Sequence, residues 1–355
     1  MNASAKENNK RSSCPVAKRQ IRAAVRDTVC ASTSMYEANR RNKREIGYKN
    51  SVSRYNSLVL SKNYKLGIEC ANQEYTTGVG GQMAVTYPKY RVVRTTYYRD
   101  RIPQTSFILN YFYPKIIPKL YQNSHACVKG RGVDAARNYL KEMLRNASPD
   151  DYVLKTDISN YFGSINHDLL IGEMFGYIRD EWARWYYENV IRANSGDIGI
   201  GLGSEIHQLS AVLFLNHLDL AVSAFNTSYE RYMDDFVFIG KKYECEGVLV
   251  TIEQCLKDKF LTISPKKTFI QKIDKPIKFL GFSFLRHPTG KVTMKRLTNK
   301  LNDEKRRLLK MKKNGVPLEN VKTHYNSVRA MMKHGCRSDL MQLDKFVRSL
   351  WPEIK

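Results

Sequence analysis

The chain lacks a C-x-x-C pair, a long apolar run and any acidic surplus. Its seven cysteines, Cys14, Cys30, Cys70, Cys127, Cys245, Cys255 and Cys336, are odd in number and scattered. That argues against a disulfide framework and a zinc site. It suits a reducing compartment, so the expected location is cytoplasmic. Nothing reaches the apolar length of a membrane span, and no membrane partner is expected. The first residues are polar and basic without an apolar h-region, which predicts no secretory signal. No internal repeat or long low-complexity tract is visible. Acid is the scarce charge: 34 Asp plus Glu stand against 59 Lys plus Arg, a formal charge of +25 over 355 residues. So large an excess favours a polyanionic partner, nucleic acid first. A polybasic membrane-surface protein is the competing reading, weakened because the charge is spread along the chain without an apolar segment.

The length suffices for two or three packed subdomains. The 22 Tyr and 14 Phe supply core, and also faces on which bases can stack. Residues 1 to about 50 are rich in Lys, Arg, Asn and Ser, with a basic helix expected over 15–30; they read as a solvated or disordered arm or as an RNA-holding extension. After the Gly-rich Thr76–Gly81 turn, residues 83–94 alternate as a β-hairpin on which Lys89 and Arg91 share a face. Paired cations on a ribbon can neutralise a triphosphate, or be ordinary surface charge. An apolar helical stretch is expected over Ser106–Leu120, and the Gly-basic loop Ala126–Asp134 runs into a helix ending near Asn146.

Two acidic signals follow. Asp151 to Phe162 reads as a strand ending near Asp157, and a carboxylate just past an apolar strand suits a metal ligand or a helix cap. Residues 173–193 look helical, and a Gly-rich loop, Gly196–Gln208, feeds an apolar helix, Leu209–Leu220. In Tyr229–Gly240, an aromatic and a methionine precede Asp234-Asp235, and an aromatic, β-branched run follows. The pair is predicted at a hairpin tip. Two adjacent like charges need screening water or a cation between them, and the pair alone does not decide which. A helix over Glu244–Lys259, a strand over Leu261–Thr268, a tight hairpin at Lys278–Phe284 and basic helices from Met294 complete the chain.

In this order, the motifs resemble the palm of reverse transcriptases over roughly residues 80–345. Asp157 matches the first catalytic motif and Tyr232-Met233-Asp234-Asp235 the catalytic turn. Gly203 to Gln208 lies where the nucleotide-pocket motif falls. Lys267 fits the following lysine motif and Phe279-Leu280-Gly281-Phe282 the primer grip. Tyr98–Gln104, Ala126–Gly132 and Tyr325–Gly335 resemble the bacterial group II intron-like branch. One departure is informative: Leu202 replaces the usual Gln, and His207-Gln208 stand where Ser-Pro would be. That pattern is similar to diversity-generating retroelement and antiviral-defence enzymes rather than to ordinary intron-encoded proteins.

The resemblance implies an α+β, right-hand polymerase fold: a basic N-terminal extension (1–74), fingers (75–150), a palm of antiparallel sheet packed on helices (151–285) and a helical thumb (286–355). It implies RNA-directed DNA synthesis with two Mg²⁺ ions, Mn²⁺ being the alternative, held by Asp157, Asp234, the Ile158 carbonyl and, less directly, Asp235. Lys89 and Arg91 would hold the triphosphate and Phe162 would exclude a 2′-hydroxyl. Gly203 and Gln208 would line the templating pair, and Lys267 would assist pyrophosphate departure. The expected partners are an RNA template (a structured noncoding RNA), cDNA product and dNTPs, with a protein partner or homo-oligomer left open. The expected role is antiviral defence, against diversity generation or a retron. An inactive nucleic-acid-binding palm and an RNA-dependent RNA polymerase are the competing classes. The three carboxylates oppose the first; Phe162 and the thumb resemblance oppose the second.

Overall fold

The computed structural model describes residues 25–44, 46–85, 91–193, 196–226, 228–297, 299–333 and 337–354. Most of the expected basic helix at 15–30, and Lys89, lie outside them. Residues 25–30 are helical, and α1 (Ser32–Asn42), α2 (Asn50–Asn56) and α3 (Val59–Ala71) follow. They are built into the main core. Met35, Ala38, Leu66 and Cys70 are buried in it. The Trp182 indole N–H donates to the Cys70 carbonyl at 2.9 Å, and the Ser106 hydroxyl to the Val29 carbonyl at 2.6 Å. A hairpin, β1 (Gln82–Val85) with β2 (Arg91–Arg94), precedes α4 (Tyr98–Phe107). After α5 (Val133–Asn146) come β3 (Tyr152–Asp157), α6 (His167–Tyr177), α7 (Glu181–Arg192), α8 (Glu205–Phe214) and α9 (Asn216–Ser223). Next are β4 (Tyr229–Tyr232), β5 (Asp235–Gly240), α10 (Lys242–Lys257), β6 (Phe269–Lys272), β7 (Ile277–Phe279), β8 (Phe282–Arg286) and β9 (Val292–Arg296).

The central sheet is antiparallel, in the order β4-β5-β3-β6. Alternation along a strand sends successive side chains to opposite faces, and the burial follows it. Leu154, Phe236 and Phe238 join the large core with the helices, among them α6 to α10. Val153, Val237 and Ile239 pack instead with Leu140 of α5 and Phe279, Phe282 and Phe284 of the β7-β8-β9 sheet. Asp157 and Asp235 share the parity of this second face. Three further helices, α11 (Asn299–Lys313), α12 (Leu318–Lys333) and α13 (Arg337–Leu350), bury their own cluster around Val321, Leu343 and Val347. The structure is therefore α+β, as expected. Among the described residues, no helix is long and apolar enough to cross a membrane.

Met294–Arg296 belongs to strand β9 instead of a helix, and 173–193 is divided between α6 and α7 rather than forming one helix. Three further departures have a visible cause. The stretch 106–120 is not one α-helix. Beyond Phe107 the chain loosens into π-helical turns over Ile108–Ile116 and then tightens at Ile117–Lys119. Pro114 and Pro118 each lack the N–H that an α-helix needs. The Leu209–Leu220 helix breaks at Leu215 into α8 and α9, because the Asn216 side chain takes the amide of Tyr121 at 2.7 Å and donates to the Lys119 carbonyl. Leu261–Thr268 is not a strand. It holds a single bridge, Ile263 to Ile158, and a 3₁₀ turn over Pro265–Lys267, since Pro265 cannot donate to a ladder.

Candidate active site

The site grows from the register of β3 and β5, which sets Asp157 directly opposite Asp235. Two residues, Met233 and Asp234, connect β4 to β5. Met233 takes a left-handed φ of +61° at a hairpin corner that ordinarily holds glycine. The turn is tied to the end of β3 by the Ile158 amide, which donates to the Asp234 carbonyl at 3.1 Å. Asp157 is in turn fixed by its own carbonyl, which accepts from the Ser264 amide at 2.7 Å. All three carboxylates thus stand at one end of the sheet. Asp157 does not cap the following turn; its carboxylate accepts from the Lys267 ammonium at 2.6 Å.

Two lysines balance this charge. Lys267 is largely exposed. Burial alone works against its charge, but the hydrogen bond it donates to Asp157 and the fields of Asp157, Asp234 and Asp235 raise its pKa overall. Lys155 is different. It is 8 % exposed, shares the face of Asp157, pairs with the Asp235 carboxylate and lies 5.7 Å from the Phe279 ring centre. Burial pushes the Asp235 carboxyl up to about 6; Lys155 opposes that, and the charges of Asp157 and Asp234 add to it.

The other anticipated residues lie around this end. Phe162, on the single helical turn Tyr161–Ser164 after β3, is half-buried with its ring 5.6 Å from that of Tyr161. Its carbonyl accepts from the Ile200 amide at 2.9 Å, which binds the Gly-rich loop to this turn. Gly203 meets backbone: a Cβ there would lie 2.1 Å from the Arg94 carbonyl oxygen, and one on Gly80 would lie 1.5 Å from that of Thr95. The two glycines therefore clasp the β2 end of the hairpin that carries Arg91. Gln208 donates to the Leu202 carbonyl at 2.9 Å and faces the Cys127 thiol at 3.6 Å, so it links the Gly-rich loop to the Gly-basic loop. His207 is buried against the Gly201 carbonyl, 3.2 Å away, and burial pushes its pKa down to about 4.

Three features were not anticipated. Lys155 is visible in the sequence, but its partner Asp235 lies 80 residues away. A fully buried pair, Arg231 with Asp219, stands behind the Met233–Asp234 turn. On the face of Asp235, Glu230 is buried with neither oxygen hydrogen-bonded, 3.6 Å from the equally unpaired His125 ring. Burial, and then the charge of Asp235, raises the Glu230 pKa well above the ordinary range; burial, and then Arg131, lowers that of His125 to about 4.

Among the described residues, no three carboxylate, thiol or imidazole groups converge on one point. The donor set still fits a hard divalent cation. Such an ion is commonly held by one or two carboxylates plus substrate phosphates, not by an all-protein cage, and two of these carboxylates already attract ammonium groups.

An aspartate turn facing a strand-borne aspartate on an antiparallel sheet suits metal-assisted phosphoryl transfer. The family model of the reverse transcriptase (RNA-dependent DNA polymerase) matches residues 87–284, more than half of the chain. The chain belongs to the reverse transcriptase family. It is an RNA-directed DNA polymerase, with an RNA template and dNTPs as substrates and divalent metal ions as the family's cofactors. None of the curated proteins compared with it matches.

Proposed function

We propose that Asp157 and Asp234 are the catalytic carboxylates of this polymerase and that together they would hold two Mg²⁺ ions, with Mn²⁺ as a substitute. One observation carries this reading: Asp157 and Asp235 oppose each other in register while Asp234 occupies the adjoining turn. When bound, the ions supply acidification of the primer 3′-hydroxyl and neutralisation of the triphosphate and leaving pyrophosphate. The Ile158 carbonyl adds a ligand beside Asp157. Asp235, already paired with Lys155, supports the site electrostatically. Lys89 and Arg91 hold the triphosphate. Phe162 stands against the sugar and excludes a 2′-hydroxyl. Gly203 and Gln208 line the templating pair. Lys267 is largely exposed and can leave Asp157 for the pyrophosphate. Residues 75–150 act as fingers, 151–285 as palm and 286–355 as thumb, with 1–74 as the N-terminal extension.

The biological role proposed is cDNA synthesis from a dedicated noncoding RNA in antiviral defence, in the cytoplasm. Leu202 and His207-Gln208 support it by departing from the intron-encoded pattern. A diversity-generating retroelement or retron enzyme is the second reading, favoured by the same Gly203 to Gln208 spacing. Sequencing the RNA and cDNA that copurify separates them: template repeats matching a variable gene would replace defence by diversity generation. For the chemistry, Asp157→Ala and Asp234→Ala are expected to abolish dNTP incorporation on an RNA template while circular dichroism stays native. Normal incorporation by either would overturn the assignment.

A further inference from the structure

We propose that Arg231 is a positioning residue for the reaction: its guanidinium sets the backbone of the Met233–Asp234 turn, and through it the aim of the Asp234 carboxylate. The inference rests on the reading of Asp234 as catalytic.

Arg231 is completely buried, and so is its partner Asp219 on α9. Its Nε donates to Asp219 Oδ1 at 2.7 Å, and Nη2 donates to Asp219 Oδ2 and to the Val212 carbonyl of α8, the latter at 2.8 Å. The remaining nitrogen, Nη1, donates to the Met233 carbonyl at 2.9 Å. Asp219 is itself held by the Tyr229 hydroxyl at 2.7 Å. The Arg231 backbone is pinned as well: its amide donates to the Asn123 carbonyl at 3.1 Å, and its carbonyl accepts from the His125 amide at 3.0 Å. On the other edge it pairs with Phe236 of β5. The guanidinium therefore cannot drift. It joins two helices to one carbonyl of the turn.

That carbonyl belongs to the residue with the left-handed φ. A non-glycine residue in such a conformation persists only where its surroundings over-determine it. A buried ion pair gives little net stability over an apolar replacement, so stability alone does not explain this one. A planar fork with donors in three directions fixes geometry, and a lysine ammonium cannot reproduce that. Misplacing a reacting group by a fraction of its bond geometry is costly in rate.

The test uses the full chain with Arg231→Lys, Arg231→Met and Asp219→Asn, assayed by primer extension on RNA well below each unfolding midpoint. Hydrogen exchange is followed over residues 232–236. Arg231→Lys is expected to lose about 10²-fold in kcat per folded molecule with KM for dNTP unchanged. Faster exchange is expected at 232–236 only. Asp219→Asn should shift the same quantities in the same direction, and it decides the matter if the Arg231 variants do not fold. A merely structural role would lower activity only in proportion to the folded fraction, and that result overturns the proposal. Activity in Asp234→Ala would overturn the site reading beneath it. An inactive Asp234→Ala beside a fully active Arg231→Lys overturns this inference alone.

Discussion

Asp157 and Asp235 are direct cross-strand neighbours, two carboxylates on one face of one sheet. Like charges so placed repel. Lys155 and Lys267 each take one of them, but in unequal surroundings: the Lys155 side chain is 10 % exposed and that of Lys267 57 %.

Lys155→Met is therefore expected to destabilise the metal-free protein by about 3 kcal/mol, because it strands a mostly buried carboxylate. Lys267→Ala also leaves a mostly buried carboxylate, Asp157, but the ammonium it removes is itself largely solvated, so its loss is expected to be the smaller of the two. Urea unfolding in the presence of a chelator measures both. Equal losses would contradict the asymmetry. Adding Asp235→Asn to Lys155→Met should recover part of the loss.

If Phe162 screens the sugar, Phe162→Ala and Phe162→Val will raise rNTP use relative to dNTP. The ratio of kcat/KM for the two nucleotides on one template reads this directly. An unchanged ratio removes Phe162 from that role.

The glycine clasp predicts a sharp local contrast. Gly203→Ala and Gly80→Ala drive a Cβ into the Arg94 and Thr95 carbonyls. Overpacking against backbone costs about 1–3 kcal/mol. Gly81→Ala meets only the Thr95 hydroxyl at 3.7 Å, an ordinary contact. Thermal unfolding should shift for the first two and not for the third.

Burial depresses the pKa of His125 and His207 to about 4. The unfolded chain then binds more protons below its histidine pKa near 6.5, so stability is complete above that value and falls as pH drops towards 4. The slope is at most about 1.4 kcal/mol per pH unit for each group. Glu230 has the opposite sign. Its raised pKa favours the protonated folded form, so stability falls as pH rises above the unfolded carboxyl value. Glu230→Gln is expected to gain about 1–3 kcal/mol at pH 8, and the gain should vanish near pH 4. Urea titrations across that range check both signs.

What was legible in the sequence was local. The Tyr232–Asp235 turn and the end of β3 at Asp157 show in consecutive residues, because strand alternation and turn chemistry act over a few positions. Lys155 was in view, but only the β3–β5 register reveals that its ammonium meets Asp235. Arg231 precedes the turn in plain sight, while Asp219 and Val212 reach it from separate helices. The break at Leu215 carries no Gly or Pro; the Asn216 side chain makes it by taking contacts from a distant segment. Pro265 ends the apolar run Leu261–Ile263 in a 3₁₀ turn, although those residues by themselves have strand character.

The way α1 and α3 are built into the core has a practical consequence for anyone shortening the chain. Trimming to the portion from about residue 75 that contains the family match would strip the cover from Trp182 and Ser106 and uncap the apolar surface that Met35, Ala38 and Leu66 seal. Such a fragment should precipitate instead of behaving as a smaller working enzyme.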